Sequence, residues 1–180
     1  MSRIRITGGE WRSRLLQVTD APGLRPTPDR VRETLFNWLG QDLRGLSCLD
    51  LFAGSGVLGF EAASRGADYV ALVEHSRQAF NTLKKNADTF ACSRLHLVCC
   101  DALEFALPTG KRFDLVFLDP PYGRGWLPRI APRLAELAAP DARLYVEAEA
   151  PLTQLDRWSV VKQGRAGQVF FHLLEPIRHE

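Results

Sequence analysis

The stretch of sequence that decides the fold runs Leu49-Asp50-Leu51-Phe52-Ala53-Gly54-Ser55-Gly56-Val57-Leu58-Gly59. The apolar segment 46–52 predicts a buried strand, and residues 57–65 predict a helix that ends at Gly66. Gly54 and Gly56 remove side chains where the backbone must approach a ligand, and the helix N-terminus directs free N–H groups to the same place. The stretch therefore predicts a ligand-binding turn between a strand and a helix.

The same alternation of strand and helix continues along the chain. Apolar runs predict strands at 69–74, 95–99, 113–118 and 144–147, helices at 77–90 and 126–139, and a closing antiparallel pair at 158–163 and 168–174. Such alternation predicts an α/β fold with a mostly parallel sheet and helices on both faces. We expect seven strands in this sheet.

The N-terminal region has a different pattern. Segments 3–7 and 12–18 predict a short β-hairpin around Gly8-Gly9, and the proline-rich residues 20–28 predict a loop. Thr27 is a candidate N-cap for a helix with Pro28 at its first position. We expect residues 1–44 to form an arm, a hairpin and a first helix within the same unit as the main domain, 45–180.

Composition limits the class of protein. The 180 residues are 46% hydrophobic and 24% charged, which is ordinary for one soluble domain. The apolar runs are too short to span a membrane, and the N-terminus lacks the apolar stretch of a secretory signal. The four cysteines form no Cys-x-x-Cys pair and no zinc-ligand spacing. We expect a cytoplasmic protein, monomeric, without a metal and without membrane association.

The turn alone leaves the ligand open, because Gly54-x-Gly56-x-x-Gly59 followed by Glu74 also fits a dinucleotide site. Asp50 argues against that reading, since a carboxylate before the glycines opposes a pyrophosphate and favours a cationic amino-acid group. Asp101, after the third strand of the main domain, can accept a hydrogen bond from an adenine amino group.

A second motif, Asp119-Pro120-Pro121-Tyr122, follows the predicted strand 113–118. Ligands of open α/β sheets bind beyond the carboxyl ends of the strands, so this turn and the glycine turn should face one crevice. The Asp119 carboxylate and the Pro120 carbonyl can hold the N–H groups of a base amine, and the Tyr122 ring can stack on a base that has left its helix.

The segment Asp50 to Gly56 resembles the Asp-x-Phe-x-Gly-x-Gly pattern of class I S-adenosylmethionine-dependent methyltransferases, and the Asp-Pro-Pro-Tyr turn resembles that of their nucleic-acid amino-methyltransferases. The resemblance implies a Rossmann-like methyltransferase fold and S-adenosyl-L-methionine as cofactor. The implied cofactor-binding residues are Asp50, Phe52, Ala53, Gly54, Ser55, Gly56, Glu74, His75, Asp101 and Ala102. The implied catalytic residues are Asp119, Pro120, Pro121 and Tyr122.

Segments 5–14, 23–39, 145–147 and 166–169 extend the resemblance over nearly the whole chain. They are similar to the bacterial 16S rRNA guanine-N2 methyltransferases, which implies 16S rRNA or the assembling small ribosomal subunit as partner. Arginine also accumulates near the N-terminus, and this residue can bind phosphate and stack on bases. The candidate RNA-binding residues are Arg3, Arg5, Arg12, Arg14, Arg25, Arg30 and Arg32.

The sequence also admits other functions. An amino-methyltransferase acting on another base or on DNA shares the motifs, although a separate target-recognition domain would be needed to favour this interpretation. A nicotinamide-dependent oxidoreductase would use the glycine turn but leaves Asp50 and the Asp119 turn unexplained. A catalytically inactive RNA-binding protein is the last alternative. All the motif residues are present, so the motifs give no support to a loss of activity.

Overall fold

The computed structural model describes residues 2–19, 26–107 and 110–179. A central sheet of eight strands in this part of the chain has the order β5-β4-β3-β6-β7-β10-β9-β8. Its strands are β3 (Ser47–Asp50), β4 (Tyr69–Val73), β5 (Leu95–Val98), β6 (Phe113–Leu118), β7 (Ala138–Ala148), β8 (Gln154–Leu155), β9 (Trp158–Ala166) and β10 (Val169–Pro176). The helices are α1 (Asp29–Leu39), α2 (Val57–Ser64), α3 (Arg77–Phe90) and α4 (Trp126–Leu137).

The first five of these strands are parallel, and β10 and β9 close the sheet in antiparallel pairing. The chain runs from β3 outward to β4 and β5, and then returns to the other side of β3 for β6 and β7. The direction of winding therefore reverses between β3 and β6, where open α/β sheets bind their ligands. At this point β3 ends in Asp50, and Asp119 follows the last residue of β6.

The N-terminal strands β1 (Ser2–Arg5) and β2 (Leu15–Val18) pair antiparallel in a separate two-stranded sheet. Ile6 and Trp11, which lie between these strands, and Leu16 of β2 belong to the same hydrophobic cluster as Phe60 of α2. The side chain of Asn86 on α3 accepts a hydrogen bond from Gln17 N at 3.0 Å and donates one to Gln17 O at 2.9 Å. The N-terminal region is therefore packed onto the main domain by both apolar and polar contacts.

Two expectations need correction. The sheet has eight strands among the described residues, not seven, because the two-residue strand β8 pairs with the edge of β9. Thr27 does not cap α1: the N-cap is Pro28 without a side-chain hydrogen bond, and the helix begins at Asp29. The Thr27 hydroxyl instead donates to Glu147 Oε1 at 3.0 Å. Helix α4 contains Pro132 and continues through it to Leu137.

Among the described residues, none of the helices is both long enough and apolar enough to cross a membrane.

Candidate active site

The glycine turn joins β3 to α2 with two residues at positive φ, Gly54 at 55° and Gly56 at 86°. A Cβ on Gly54 would meet no atom within 4 Å, so this glycine leaves the turn open on the crevice side. The sequence predicts that Gly56 lets a ligand approach the backbone, but a Cβ there would instead lie 2.5 Å from Leu83 Cδ1. Its missing side chain makes room for the core, and Gly59 likewise allows α2 to pack against Leu72 of β4.

Glu74 follows β4 and fixes the glycine turn. Its carboxylate accepts from Gly54 N at 2.9 Å through Oε2 and from Ser76 N at 3.1 Å through Oε1. Each oxygen keeps a second lone pair, so the carboxylate can still accept from a ribose diol. The adjacent His75 is exposed, with Nδ1 3.4 Å from Glu74 Oε1.

The other expected cofactor residues line the same end of the sheet. Asp101 is half-buried and its Oδ1 accepts from Leu103 N at 2.8 Å, which fixes the turn after β5; Ala102 is buried beside it. The Phe52 ring packs edge-on against Trp126, with ring centroids 5.3 Å apart. The remaining two residues of the glycine turn are Ala53, which is buried, and Ser55, which is half-buried.

Asp50 ends β3 beneath the glycine turn and is 2% exposed. Its Oδ2 accepts from Gly59 N at 3.1 Å. Burial raises the pKa of Asp50 from 3.8 to about 7; the Gly59 N–H opposes this rise, and the charges of Glu74 and Glu147 add to it. Among the described residues no cationic side chain pairs with this carboxylate, as expected for a residue whose partner is a cationic ligand.

The Asp119-Pro120-Pro121-Tyr122 turn follows β6 next to Asp50. Asp119 is half-buried, Pro120 is buried, Pro121 is exposed, and Tyr122 exposes 43% of its surface. Burial, the neighbouring Glu147 and the charge of Asp50 raise the pKa of Asp119 well above its ordinary value. An exposed aromatic ring beside such an acid can stack on a flat group that presents hydrogen-bond donors.

Glu147 is a residue of the site that the sequence motifs do not include. It is 6% exposed on β7, and its Oε1 accepts from the hydroxyls of Tyr145 at 2.7 Å and Thr27 at 3.0 Å. Leu118 of β6 pairs with Val146 of β7, so Asp119 and Glu147 follow this pair on neighbouring strands, and the Glu147 charge helps to raise the pKa of Asp119. The segment 145–147 stands out in the sequence only by its resemblance, and an acidic residue inside an apolar strand is the signal that could have identified Glu147.

Of the arginines expected to bind RNA, five are exposed, one lies outside the described residues and one is buried. Exposed side chains occur at Arg3, Arg5, Arg12, Arg14 and Arg30. Arg14 also lies over the Phe90 ring at 4.0 Å, and Arg25 lies outside the described residues. Arg124, two residues after Tyr122, is a further exposed arginine that lies outside the N-terminal set.

The expectation that Arg32 contacts RNA is wrong, because its side chain is 0% exposed. Its guanidinium pairs with Glu61 at 2.6 Å and with Asp29, and it donates to the backbone carbonyls of Arg5 and Thr27. Glu61 also pairs with Arg65 and accepts from Thr7 N at 2.7 Å. Arg32 therefore joins the N-terminal region to α1 and α2.

Comparison with known proteins gives concordant matches over nearly the whole chain. The family model described as Conserved hypothetical protein 95 matches residues 4–175. The Ribosomal RNA small subunit methyltransferase D of Escherichia coli (strain K12) is 43% identical over 178 residues, which cover 96% of this chain and 90% of that protein. The protein of the same name from Haemophilus influenzae is 41% identical over 180 residues, covering 96% and 93%.

Solved structures agree with these matches. The putative methyltransferase yhhF from Escherichia coli superposes with a TM-score of 0.87 at 42% identity, covering 97% of this chain and 98% of that one. An RNA methyltransferase from Salinibacter ruber, in complex with S-adenosyl-L-homocysteine, gives a TM-score of 0.68 at 16% identity, covering 87% and 97%, and supports the fold alone. The chain therefore has a methyltransferase fold and belongs to the Conserved hypothetical protein 95 family, together with the small-subunit ribosomal RNA methyltransferases D.

Proposed function

We propose that this protein transfers a methyl group from S-adenosyl-L-methionine to the exocyclic N2 amine of a guanine in 16S rRNA. The observation that carries the proposal is that two pairs of acidic residues lie at the same crevice. Asp50 and Glu74 lie at the glycine turn, while Asp119 and Glu147 lie beside Tyr122. The first pair suits a cationic nucleoside cofactor and the second pair suits an amine on a flat base.

The residues around the glycine turn fit this cofactor. S-adenosyl-L-methionine supplies an electrophilic methyl group on a positively charged sulfur. Burial and the acidic neighbours Glu74 and Glu147 raise the pKa of Asp50, and no cation of the described ranges pairs with it, which favours a ligand carrying positive charge. Glu74 would accept from the ribose hydroxyls, and Asp101 with Ala102 would contact the adenine. A nicotinamide dinucleotide fits poorly, since its pyrophosphate would approach the same carboxylates.

The Asp119 turn would bind the substrate amine. A base amine is a weak nucleophile because its lone pair is delocalised into the ring. Hydrogen bonds from its N–H groups to Asp119 and to the Pro120 carbonyl would orient the nitrogen toward the methyl group, and the exposed Tyr122 ring would stack on the base. The choice of guanine N2 rests on the resemblance of the N-terminal segments, which the names of the relatives support as far as small-subunit rRNA.

The RNA would reach the crevice over the exposed arginines of the N-terminal region. Arg3 and Arg12 are exposed on the N-terminal region, and Arg124 adds an exposed cation close to Tyr122. Phosphate contacts of this kind position an RNA without reading its sequence. We propose that the partner is 16S rRNA or the assembling small subunit in the cytoplasm and that the protein acts as a monomer.

Single-turnover methyl transfer to 16S rRNA tests this proposal. Asp119→Ala should slow the reaction roughly 30- to 1000-fold, which corresponds to about 2–4 kcal/mol for one oriented acceptor in the transition state. Tyr122→Ala should cost about 1–3 kcal/mol because the base no longer stacks on a ring, while Tyr122→Phe keeps the ring and should be mild. Cofactor titration should give near-normal affinity for all three variants.

Two controls define the outcome. The cofactor or its demethylated product should raise the melting temperature, whereas NAD should not; stabilisation by NAD alone would sink the methyltransferase assignment. Mapping of methylated guanines in rRNA from cells with and without the protein identifies the base. A near-wild-type rate for Asp119→Ala would exclude the turn as the site that holds the amine.

A further inference from the structure

One arginine of α4 holds the segment that follows β5. Arg133 Nη1 donates to Ala102 O at 3.2 Å and to Leu103 O at 2.8 Å, and its Nη2 donates to Phe105 O at 2.5 Å. Residues 102–104 form a turn, and 105–107 belong to no helix or strand, so these three carbonyls lie outside the hydrogen-bond ladders of the fold. The guanidinium therefore supplies donors that secondary structure does not supply here.

The same segment contains the two residues expected to contact adenine, Asp101 and Ala102. Asp101 Oδ1 accepts from Leu103 N at 2.8 Å, and Asp101 O accepts from Glu104 N at 3.0 Å. The Asp101 carboxylate is thus oriented by the turn whose carbonyls Arg133 binds. Each carboxylate oxygen offers two lone pairs, so this group can still accept a hydrogen bond from an adenine amino group.

The contacts of Arg133 are suited to fixing a backbone. A guanidinium presents its N–H groups in a rigid planar fork, whereas a lysine ammonium is a single point on a flexible stem. The side chain of Arg133 is 20% exposed, and its acidic neighbour Glu136 lies 3.4 Å away with 59% of its side chain exposed. Such an exposed pair contributes little, so the carbonyls are the main partners of the guanidinium.

Apolar packing connects the same two parts of the chain. Ala102 and Phe105 are buried in one hydrophobic cluster with Ile130 and Leu134 of α4. The polar contacts of Arg133 add direction to this packing, because hydrogen bonds depend on angle and apolar contacts do not. Helix α4 therefore determines both the position and the orientation of the turn 102–105.

We propose that Arg133 is a positioning residue for the cofactor, holding the turn 102–105 so that the Asp101 carboxylate faces the adenine amino group. The inference rests on the proposed function for its ligand. Arg133 binds the backbone of the turn, while the contact with the base belongs to Asp101 and Ala102. A base with an oxygen in place of the amino group would present an acceptor to the carboxylate instead of a donor. Arg133 therefore sets the selectivity of the site for adenine.

Equilibrium binding of two ligands tests this proposal. One is S-adenosyl-L-homocysteine, and the other is S-inosyl-L-homocysteine, which carries hypoxanthine in place of adenine. Wild type should bind the adenosyl compound roughly 10- to 100-fold more tightly, because the inosyl compound loses a hydrogen bond to a charged acceptor. Arg133→Met keeps a long unbranched side chain without the fork, and the preference should fall to about threefold or less. Both ligands are measured on the same variant, so a reduced folded fraction cancels from the ratio.

The chain offers a matched control in Arg94, a second arginine that binds backbone carbonyls. Its Nη1 donates to Ala63 O at 2.7 Å and to Ala67 O at 2.9 Å, and its side chain is 28% exposed. Arg94 precedes β5 and thus lies at the opposite end of this strand from Asp101. Arg94→Met should lower the melting temperature and leave the preference for the adenosyl compound at the wild-type value. Arg133→Lys keeps the charge but not the fork, so its preference should lie between those of Arg133→Met and wild type.

The outcomes separate the two proposals. Failure of the wild type to bind S-adenosyl-L-homocysteine would overturn the proposed function and the inference with it. A wild type that binds both ligands equally would show that Asp101 does not read the amino group, which overturns the inference alone. The wild-type preference in Arg133→Met, or the same loss of preference in Arg94→Met, would likewise overturn the role of Arg133 and leave the proposed function standing.

Discussion

Asp50→Asn should make the ligand-free protein more stable at neutral and alkaline pH, although Asp50 lies at the proposed cofactor site. Asp50 is 2% exposed and its pKa is raised from 3.8 to about 7. Above pH 7 the folded protein carries a charge that the unfolded chain holds more easily. A shift of about three pKa units corresponds to a decrease in stability of about 4 kcal/mol. Asparagine removes the charge, and its Oδ1 can still accept from Gly59 N.

The pH dependence follows from the sign of this shift. A carboxyl group whose pKa is higher in the folded state binds more protons there, so stability decreases as pH rises from about 4 to about 7. The variant should therefore exceed wild type by about 2–4 kcal/mol near pH 8, after a deduction for burying the new amide group. The difference should be constant above pH 7 and should decrease steadily toward about pH 4.

Urea unfolding at a series of pH values measures the difference, because the midpoint and slope give the free energy of unfolding at each pH. Addition of S-adenosyl-L-methionine provides the control: it should stabilise wild type strongly and the variant weakly, since the variant lacks the charge that favours a cationic ligand. An Asp50→Asn protein that is less stable than wild type at pH 8, or a stability difference independent of pH, would refute the reasoning.

Two further predictions concern the arginines of the N-terminal region. Arg32→Ala should lower the stability by about 3–5 kcal/mol, because Glu61 stays buried with one ion pair fewer. The control is Arg30→Ala, whose side chain is exposed and which should change the stability by about 0.5 kcal/mol or less; thermal unfolding measures both variants. Unchanged stability with reduced RNA affinity for Arg32→Ala would instead favour direct RNA contact. Replacing Arg12 by Ala should weaken RNA binding and reduce the slope of log K against log salt concentration by about 0.7–0.9 for each phosphate that the variant no longer neutralises. A salt titration of the RNA dissociation constant measures this slope. An unchanged affinity at low salt would exclude phosphate binding by Arg12.

The parts of the fold that depend on local pattern were predictable from the sequence. Helix α3 spans the predicted residues 77–90, and β6 spans the predicted 113–118. The β3–α2 turn was predictable because glycines at fixed spacing after an apolar run specify both the turn and the following helix. The short strand β8 was not predictable because two residues carry no periodic pattern.

The errors concern side chains whose partners are distant in sequence. Thr27 has the local features of an N-cap, yet its hydroxyl bonds Glu147, 120 residues away. Arg32 is one arginine among many in the sequence, and only the fold places Glu61 beside it. Glu147 was inconspicuous for the same reason, because only the pairing of β6 with β7 brings it next to Asp119. Local pattern therefore predicted the elements and the crevice, whereas the electrostatic partners required the tertiary structure.

The packing of the N-terminal strands has a consequence for synthesis of the chain. Thr7 bonds a residue 54 positions later, and Gln17 bonds a residue 69 positions later. Because translation proceeds from the N-terminus at about 5–20 residues per second, strands β1 and β2 leave the ribosome several seconds before the helix that receives them. During this interval the arginine-rich segment is a nascent peptide without its docking surface, and it remains close to ribosomal RNA. The residues that are made first can therefore reach their final positions only after α2 and α3 have been made.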